Sequence, residues 1–542
     1  MGKIFVNQVG FLPTEKKAAV LNFNAEKFSL CDETGKEVFA SSVKHFGTDD
    51  ISGEDAYLAD FSEFSREGRF FVKAGEEKSC SFEIGKEPFD KLMKDLLKTF
   101  YYLRCGSGLD EKYAGVYAHK PCHTSLATVY GTDEKVDVTG GWHDAGDFGR
   151  YTTAGCVAVS HLLLAVRMFP EILKVEFNIP KCDKLPDILA EVKVELDFLM
   201  KMQSKDGGAW HKVTTFSHAP FVMPEDDKEE LILFAVSSIA TADLAATCAL
   251  AYTVYKDYDS KYADKLMDTA LKAYGWLEEN PQEVLFKNVK GSNTGEYGEA
   301  EDISNRFWAA SALYEATGDK RYLNELLFQK ERLLLFEEDN FSKRSNVNIF
   351  VCFGWEDVAG LGSAILVLKN EDNSFTDSVK SAFVKEADRL LDVALKNGFG
   401  LCMEAKDFIW GSNMELGKYL MILSIAKQIS GSDRYNETID KGFAYLLGCN
   451  SMDTSYVTGN GEKAYKNPHL RPTAVDNVED PWPGLVSGGP NVGLQDERAK
   501  EVDPKSAPMK CYLDHIDCYS LNEITIYWNS PFVFALAGLL YR

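Results

Sequence analysis

At 542 residues the chain is too long for one ordinary hydrophobic core, so two or more domains are expected. Hydrophobic residues make up 45% and charged residues 26%, as in globular proteins at large. The formal net charge of −24 sets the surface against nucleic acid and anionic membrane, so neither is expected as a partner, while a neutral substrate such as a sugar is not penalised. No apolar run has the length of a bilayer span, and the N-terminus lacks a basic segment followed by a long apolar run. Met1-Gly2 is followed at position 6 by Val, so the myristoylation pattern fails. The 12 cysteines are scattered, without the density of a disulfide scaffold, and are expected to be reduced or metal-bound in a cytoplasmic protein.

Residues 1–86 read as a small β-sandwich. Short β-rich runs at 3–9, 18–23, 28–31, 38–41, 56–61, 69–74 and 79–84 are separated by turn residues such as Asp32-Glu33-Thr34-Gly35 and Glu67-Gly68. His45 and Asp49-Asp50 are expected on solvated loops between them.

From residue 87 the period changes. Apolar residues recur at helical spacing after Glu87-Pro88, and further helical stretches are expected near 151–169, 186–204, 236–256, 260–279, 302–317, 320–337, 357–369, 376–396, 412–430, 433–447 and 521–541. Residues 87–542 therefore read as one all-α domain of catalytic size with almost no strands, and helix pairs closing into a ring suit the number. Residues 448–520 break the pattern with Gly, Pro and Asn, and long irregular segments in compact domains are usually functional.

The stretch Thr139–Tyr151 presents two acids, Asp144 and Asp147, among glycines that oppose a stable helix. A loop offering two carboxylates is expected, although an acidic, glycine-rich surface turn is the better reading of the pair when it is taken alone. Cys105, Cys122, His123 and His143 form the pattern Cys-x16-Cys-His-x19-His. Two thiolates and two imidazoles complete a tetrahedral zinc set with no vacancy, which makes for a structural site. The spacings are not those of a zinc finger, and two buried cysteines with two ordinary histidines remain the other reading. Zinc bound there would tie the acid loop to the 105–123 segment.

Three segments, in order, resemble the signatures of family-9 glycoside hydrolases, the inverting cellulases. Gly140–Asp147 is similar to the catalytic-base loop. Ser455–Lys463 with Pro468-His469-Leu470-Arg471 is similar to the histidine-arginine signature. Tyr512, Asp514, Tyr519, Glu523, Thr525, Asn529 and Ser530 follow the acid signature. Val6–Phe11 resembles the opening of the immunoglobulin-like domain found in one branch, which also has the cysteine-histidine zinc pattern. The resemblance covers essentially the whole chain. It implies an N-terminal immunoglobulin-like sandwich (1–86) followed by an (α/α)6 barrel (87–542).

By the same resemblance Asp147 is the general base, Asp144 holds the water and Glu523 is the general acid. Inverting hydrolysis needs such a pair roughly 6.5–9.5 Å apart, with the acid kept protonated by a raised pKa. His469 and Arg471 are implied as donors to sugar hydroxyls. Tyr519, Trp355 and Trp410 are candidate sugar platforms, with core packing the alternative for each. Asp514 is a candidate to orient Arg471 or a hydroxyl. His211 and His218 match nothing in the signatures and read as core or surface residues. The run Glu225–Glu230 reads as a solvated face. Glu296, Glu299, Glu301 and Asp302 are a candidate calcium cluster, though acids at a helix start account for them more simply.

The expected function is inverting hydrolysis of β-1,4-linked gluco-oligosaccharides, a cellodextrinase, with structural zinc. The alternatives are exo-acting release of glucose or glucosamine, an oligosaccharide-binding protein on an inactive scaffold, and a hydrolase with catalytic zinc.

Overall fold

The computed structural model describes residues 2–182, 184–340 and 348–541. The chain divides into two compact units: Met1–Thr99 with Ala387–His469 and Glu479–Ile524, and Phe100–Glu386 with Leu470–Val478 and Thr525–Arg542.

The first unit opens with the β-sandwich. One sheet orders strands Ile4–Phe5, Ala18–Leu21, Glu54–Asp60 and Lys44–Asp49; the other runs Gly10–Phe11, Phe82–Ile84, Gly68–Ala74, Lys27–Asp32, Glu37–Ser42, with Glu77–Lys78 beside Gly68–Ala74. Alternation decides which side chains enter: in Gly68–Ala74, Phe70, Val72 and Ala74 are buried while Arg69 and Lys73 are exposed. Phe11 meets Phe61 and Phe82 edge-on at 5.5 and 5.2 Å in the core between the sheets. The turn after Lys27–Asp32 is built as the sequence predicts. Asp32 Oδ1 accepts from the Thr34 and Lys36 backbone N–H groups, and Gly35 takes φ +79°.

The expected loop at 45–50 is instead largely strand Lys44–Asp49, paired to Glu54–Asp60. Apart from Phe46 its exposed residues are polar, and it lacks an apolar alternation to betray it. His45 is exposed there, but Asp49 is buried and accepts from Ile51 N at 3.0 Å and Gly398 N at 2.9 Å. The same unit holds helices Ser412–Ser430 and Asn436–Leu446 and much of the irregular 448–520 stretch, joined to the sandwich where Gln8 N donates to Leu447 O at 2.9 Å and Lys463 N to Gln8 Oε1 at 2.7 Å.

The second unit is helical. Thr152–Met168, Ser238–Tyr255, Ile303–Thr317, Ala359–Lys369 and Ile526–Leu540 are buried nearly all round, and each packs on at least one of the others. Ser260–Glu279, which follows Ser238–Tyr255 and packs on it, keeps a charged outer face. Two kinds of helix, one apolar on every side and one amphipathic, are what an inner and an outer layer require. Gly318 ends Ile303–Thr317 in the left-handed conformation and Asn370 does the same for Ala359–Lys369. Short strands interrupt the helices: Lys135–Val136, Ala127–Val129, Ile232–Leu233, Lys212–Thr214 and Arg150–Tyr151 form one sheet, and Ala209–Trp210 pairs with Val236–Ser237. At two or three residues each, they are too short to leave a period in the sequence.

The expected helix 521–541 is split. Tyr519–Asn522 ends at Glu523, whose φ −59° and ψ 150° are extended, and Ile526–Leu540 begins anew with Thr525 Oγ1 accepting from Trp528 N at 3.1 Å. Glu523 therefore stands on the link between two helices. Among the described residues no helix is long and apolar enough to cross a membrane.

Candidate active site

The 139–151 loop is fastened from below. Trp142, buried, donates its backbone N–H to Glu195 Oε2 at 2.6 Å and its indole N–H to Glu191 Oε1 at 3.0 Å. Arg150 donates to Val138 O (2.6 Å) and Gly140 O (2.9 Å), with its guanidinium over the Phe198 ring. Gly141 has φ +78°, and a Cβ there would stand 2.6 Å from that ring, so only glycine fits.

On this base Asp144 and Asp147 are both buried. Asp144 Oδ2 accepts from the Tyr297 hydroxyl at 2.5 Å, and Asp144 N donates to Gly149 O at 2.9 Å. Thr525 bridges Ala145, and Ile526 N donates to Asp144 O at 2.8 Å. Asp147 Oδ2 accepts from Gly149 N and the Tyr151 hydroxyl, each at 3.2 Å, and His218 Nδ1 stands 3.5 Å away. Burial pushes the Asp147 carboxyl up, but His218, Arg471 and the Gly149 N–H outweigh it and hold the group down at about 2. The pair is thus one ionised acid among donors and one acid gripped by a phenol.

Arg471 donates to Gly146 O at 2.6 Å and to Ala219 O at 2.8 Å, bracing the loop from its outer side with its guanidinium 5.7 Å from the Phe221 ring. Trp355 lies edge-on to Tyr297 at 4.9 Å.

In the first unit Glu523 has its own surroundings. Its Oε2 accepts from the Trp410 indole N–H at 3.1 Å, Gly488 N donates to its carbonyl at 2.9 Å, and its backbone bridges His469. His469 Nδ1 donates to Ile516 O at 2.6 Å, which fixes the proton on that nitrogen. Trp410 and Tyr519 lie 5.4 Å apart and keep 37% and 38% of their surface exposed, so neither is a core residue. An exposed indole and phenol beside a carboxyl are suited to the apolar face of a sugar. Asp514 accepts from Lys466 N and Asn467 N at 2.8 and 2.9 Å.

Cys105, Cys122, His123 and His143 come together, all buried, with one donor atom from each within 4.8 Å of the others. His143 Nε2 is 3.4 Å from His123 Nδ1 and 3.9 Å from Cys122 Sγ. The far nitrogen of His123 meets the buried Asp227 Oδ2 at 3.2 Å, the carboxylate partner that commonly orients a metal-binding imidazole. Two thiols and two imidazoles so placed fit a tetrahedral metal. Asp227 belongs to the run read as solvated, and only its contact partner reveals it. Backbone bonds already join the two segments, Cys105 N to Gly141 O and His143 N to Leu103 O, each 2.7 Å.

The four calcium candidates face separate partners. Glu296 accepts from Asn288 N, Glu299 from Asn305, Asp302 from Arg306, and Glu301 from Ile303 N. His211 is the core residue expected, stacked 4.1 Å from Phe286 and bonded to Ser237 and Glu296 O. His218, Tyr151 and Tyr297 contact the aspartates from positions that no spacing in the sequence links to them.

The profile of glycosyl hydrolase family 9 matches residues 89–536, and that of a cellulase N-terminal ig-like domain matches residues 1–79. A cellodextrinase of Butyrivibrio fibrisolvens is 63% identical over 546 residues, covering 100% of both chains. Among solved structures, AaCel9A in complex with cellobiose-like isofagomine superposes with a TM-score of 0.91 at 35% identity over 100% of each chain. A Zn-binding triple mutant of the family 9 endoglucanase J30 gives a TM-score of 0.88 at 30% identity, over 97% of this chain and 99% of that one. Paired acids on a braced loop, a later glutamate among exposed aromatics, and likeness over the full length agree that the chain is a glycoside hydrolase: it belongs to glycosyl hydrolase family 9, with an immunoglobulin-like domain before the helical catalytic one.

Proposed function

We propose that the protein hydrolyses β-1,4-glucosidic bonds of cello-oligosaccharides with inversion at the anomeric carbon. Asp147 removes a proton from water, Asp144 holds that water, and Glu523 protonates the leaving oxygen. The observation that carries this reading is the geometry at Asp147, a buried carboxyl whose Oδ2 accepts from Gly149 N and the Tyr151 hydroxyl with His218 Nδ1 3.5 Å away. Donors so placed favour the ionised form that a base requires. The cellodextrinase likeness supports the substrate class and does not favour exo release of single sugars. His469, Arg471, Tyr519, Trp410 and Trp355 are assigned to sugar binding, supported for Trp410 and Tyr519 by their exposure.

Zinc is proposed for the cysteine-histidine cluster, in a structural role, since four protein ligands fill its coordination. The domain boundary is placed between residues 86 and 87, supported by profile matches that end at 79 and begin at 89. A cytoplasmic setting is proposed from the scattered placing of the 12 cysteines, which lack the density of a disulfide scaffold.

The test is cellotetraose turnover by Asp147→Ala and Glu523→Ala, with proton NMR of fresh product. Loss of turnover by about a thousandfold or more in each folded variant, and α-anomer appearing first from the wild type, are expected. Substantial turnover in either variant, or β-anomer first, overturns the assignment.

A further inference from the structure

Lys212 is fully buried on strand Lys212–Thr214, directly across from Tyr151. A buried ammonium needs all of its donors satisfied. Here Asn288 Oδ1 at 2.7 Å, Thr294 Oγ1 at 3.0 Å and Gly295 O at 2.6 Å receive them, and all belong to one loop. The Phe234 and Phe286 rings lie 4.7 and 5.4 Å from the ammonium. The titratable groups facing it are Asp147, Glu296 and His211, and Glu296 also pairs with Lys287 at 3.3 Å.

That loop reaches both aspartates. Gly295 N donates to the Tyr151 hydroxyl at 3.1 Å, so the single phenolic hydrogen is left for Asp147 Oδ2. Two residues later Tyr297 donates to Asp144 Oδ2. One cation therefore anchors the segment that aims both phenols.

We propose that Lys212 is a positioning residue for the hydrolysis: through residues 288–297 it sets Tyr151 on Asp147 and Tyr297 on Asp144. The proposal rests on the assignment of those aspartates as base and water holder. Burial pushes the Lys212 ammonium down to about 8, so its proton is lost at mildly alkaline pH. The neutral amine has one donor fewer and no charge, and the loop is then held less firmly.

The test is Lys212→Met, read by hydrogen exchange and by cellotetraose kinetics. Faster exchange confined to 288–297 and a kcat about tenfold or more lower, with KM changed less, are expected. The wild type should lose kcat through a pH near 8, and the variant should lack that limb. If Lys212→Met fails to fold, Asn288→Leu removes one of the ammonium's acceptors and should give the same pattern at smaller amplitude. Unaltered exchange over 288–297 overturns the proposal. So does a loosened loop with kcat within about twofold of wild type, or an alkaline limb that survives the substitution. Asp147→Ala separates the two ideas. A rate retained there defeats the base assignment, whereas the exchange measurement still reports on the anchor alone.

Discussion

The Tyr297 hydroxyl donates to Asp144 Oδ2 at 2.5 Å across 153 residues of sequence. A hydrogen bond to a charged group contributes about 1.5–3 kcal/mol, and here it fixes the direction of a carboxylate. Tyr297→Phe keeps the ring against Trp355 and Tyr151 and removes that bond together with the 3.3 Å contact to the Tyr527 hydroxyl. A kcat on cellotetraose lower by about tenfold, with little change in KM, is expected from steady-state kinetics.

His218 and Arg471 oppose the effect of burial on Asp147. In His218→Ala, burial regains ground and the carboxyl titrates at higher pH. As the proposed base, Asp147 works only when ionised, so the acid limb of kcat/KM should move upward and activity at pH 4 should fall relative to pH 6.5. The pH profiles of wild type and variant check this; coincident acid limbs would remove His218 from the control of the base.

Trp410 both bonds Glu523 and presents an exposed ring. Trp410→Phe keeps a ring but loses the indole N–H, so kcat should fall more than KM rises. Trp410→Ala loses the ring as well, and KM should rise by about tenfold, in keeping with what one aromatic contact contributes. Cellotetraose kinetics on both variants separate the two roles.

Asp227 turns the His123 ring toward the cysteines. Removing such a partner typically weakens metal affinity by about 10–100-fold, so Asp227→Ala should lose zinc to a chelator at concentrations the wild type resists. Metal content by mass spectrometry and the melting temperature should fall together. A catalytic metal would instead show as lost rate in protein whose melting temperature is unchanged.

Gly141→Ala places a methyl against Phe198 at a φ of +78°. Left-handed strain alone costs about 1–3 kcal/mol, and the clash adds to it. Denaturant unfolding should show the loss.

Residues whose roles depend on local pattern were legible in the sequence. The alternation in Gly68–Ala74, the helical period of Ser260–Glu279 and the cysteine-histidine set all leave a mark within a short window. Residues whose roles depend on distant partners were not. Lys212 reads as one polar residue in a short strand, and its meaning comes from acceptors 76–83 residues away. His218 is a lone histidine until Asp147, 71 positions earlier, stands beside it. The split before Ile526–Leu540 leaves little trace in the sequence because apolar residues continue across it, and only the Thr525 cap marks the break.

The bond from Ile526 N to Asp144 O has a bearing on biosynthesis. The acid loop is translated well before Ile526, one of its fastenings. A nascent chain thus carries Asp144 through 382 further residues of synthesis before that bond can form. Premature termination anywhere upstream of Ile526 yields an enzyme without that lock, however well its other helices fold.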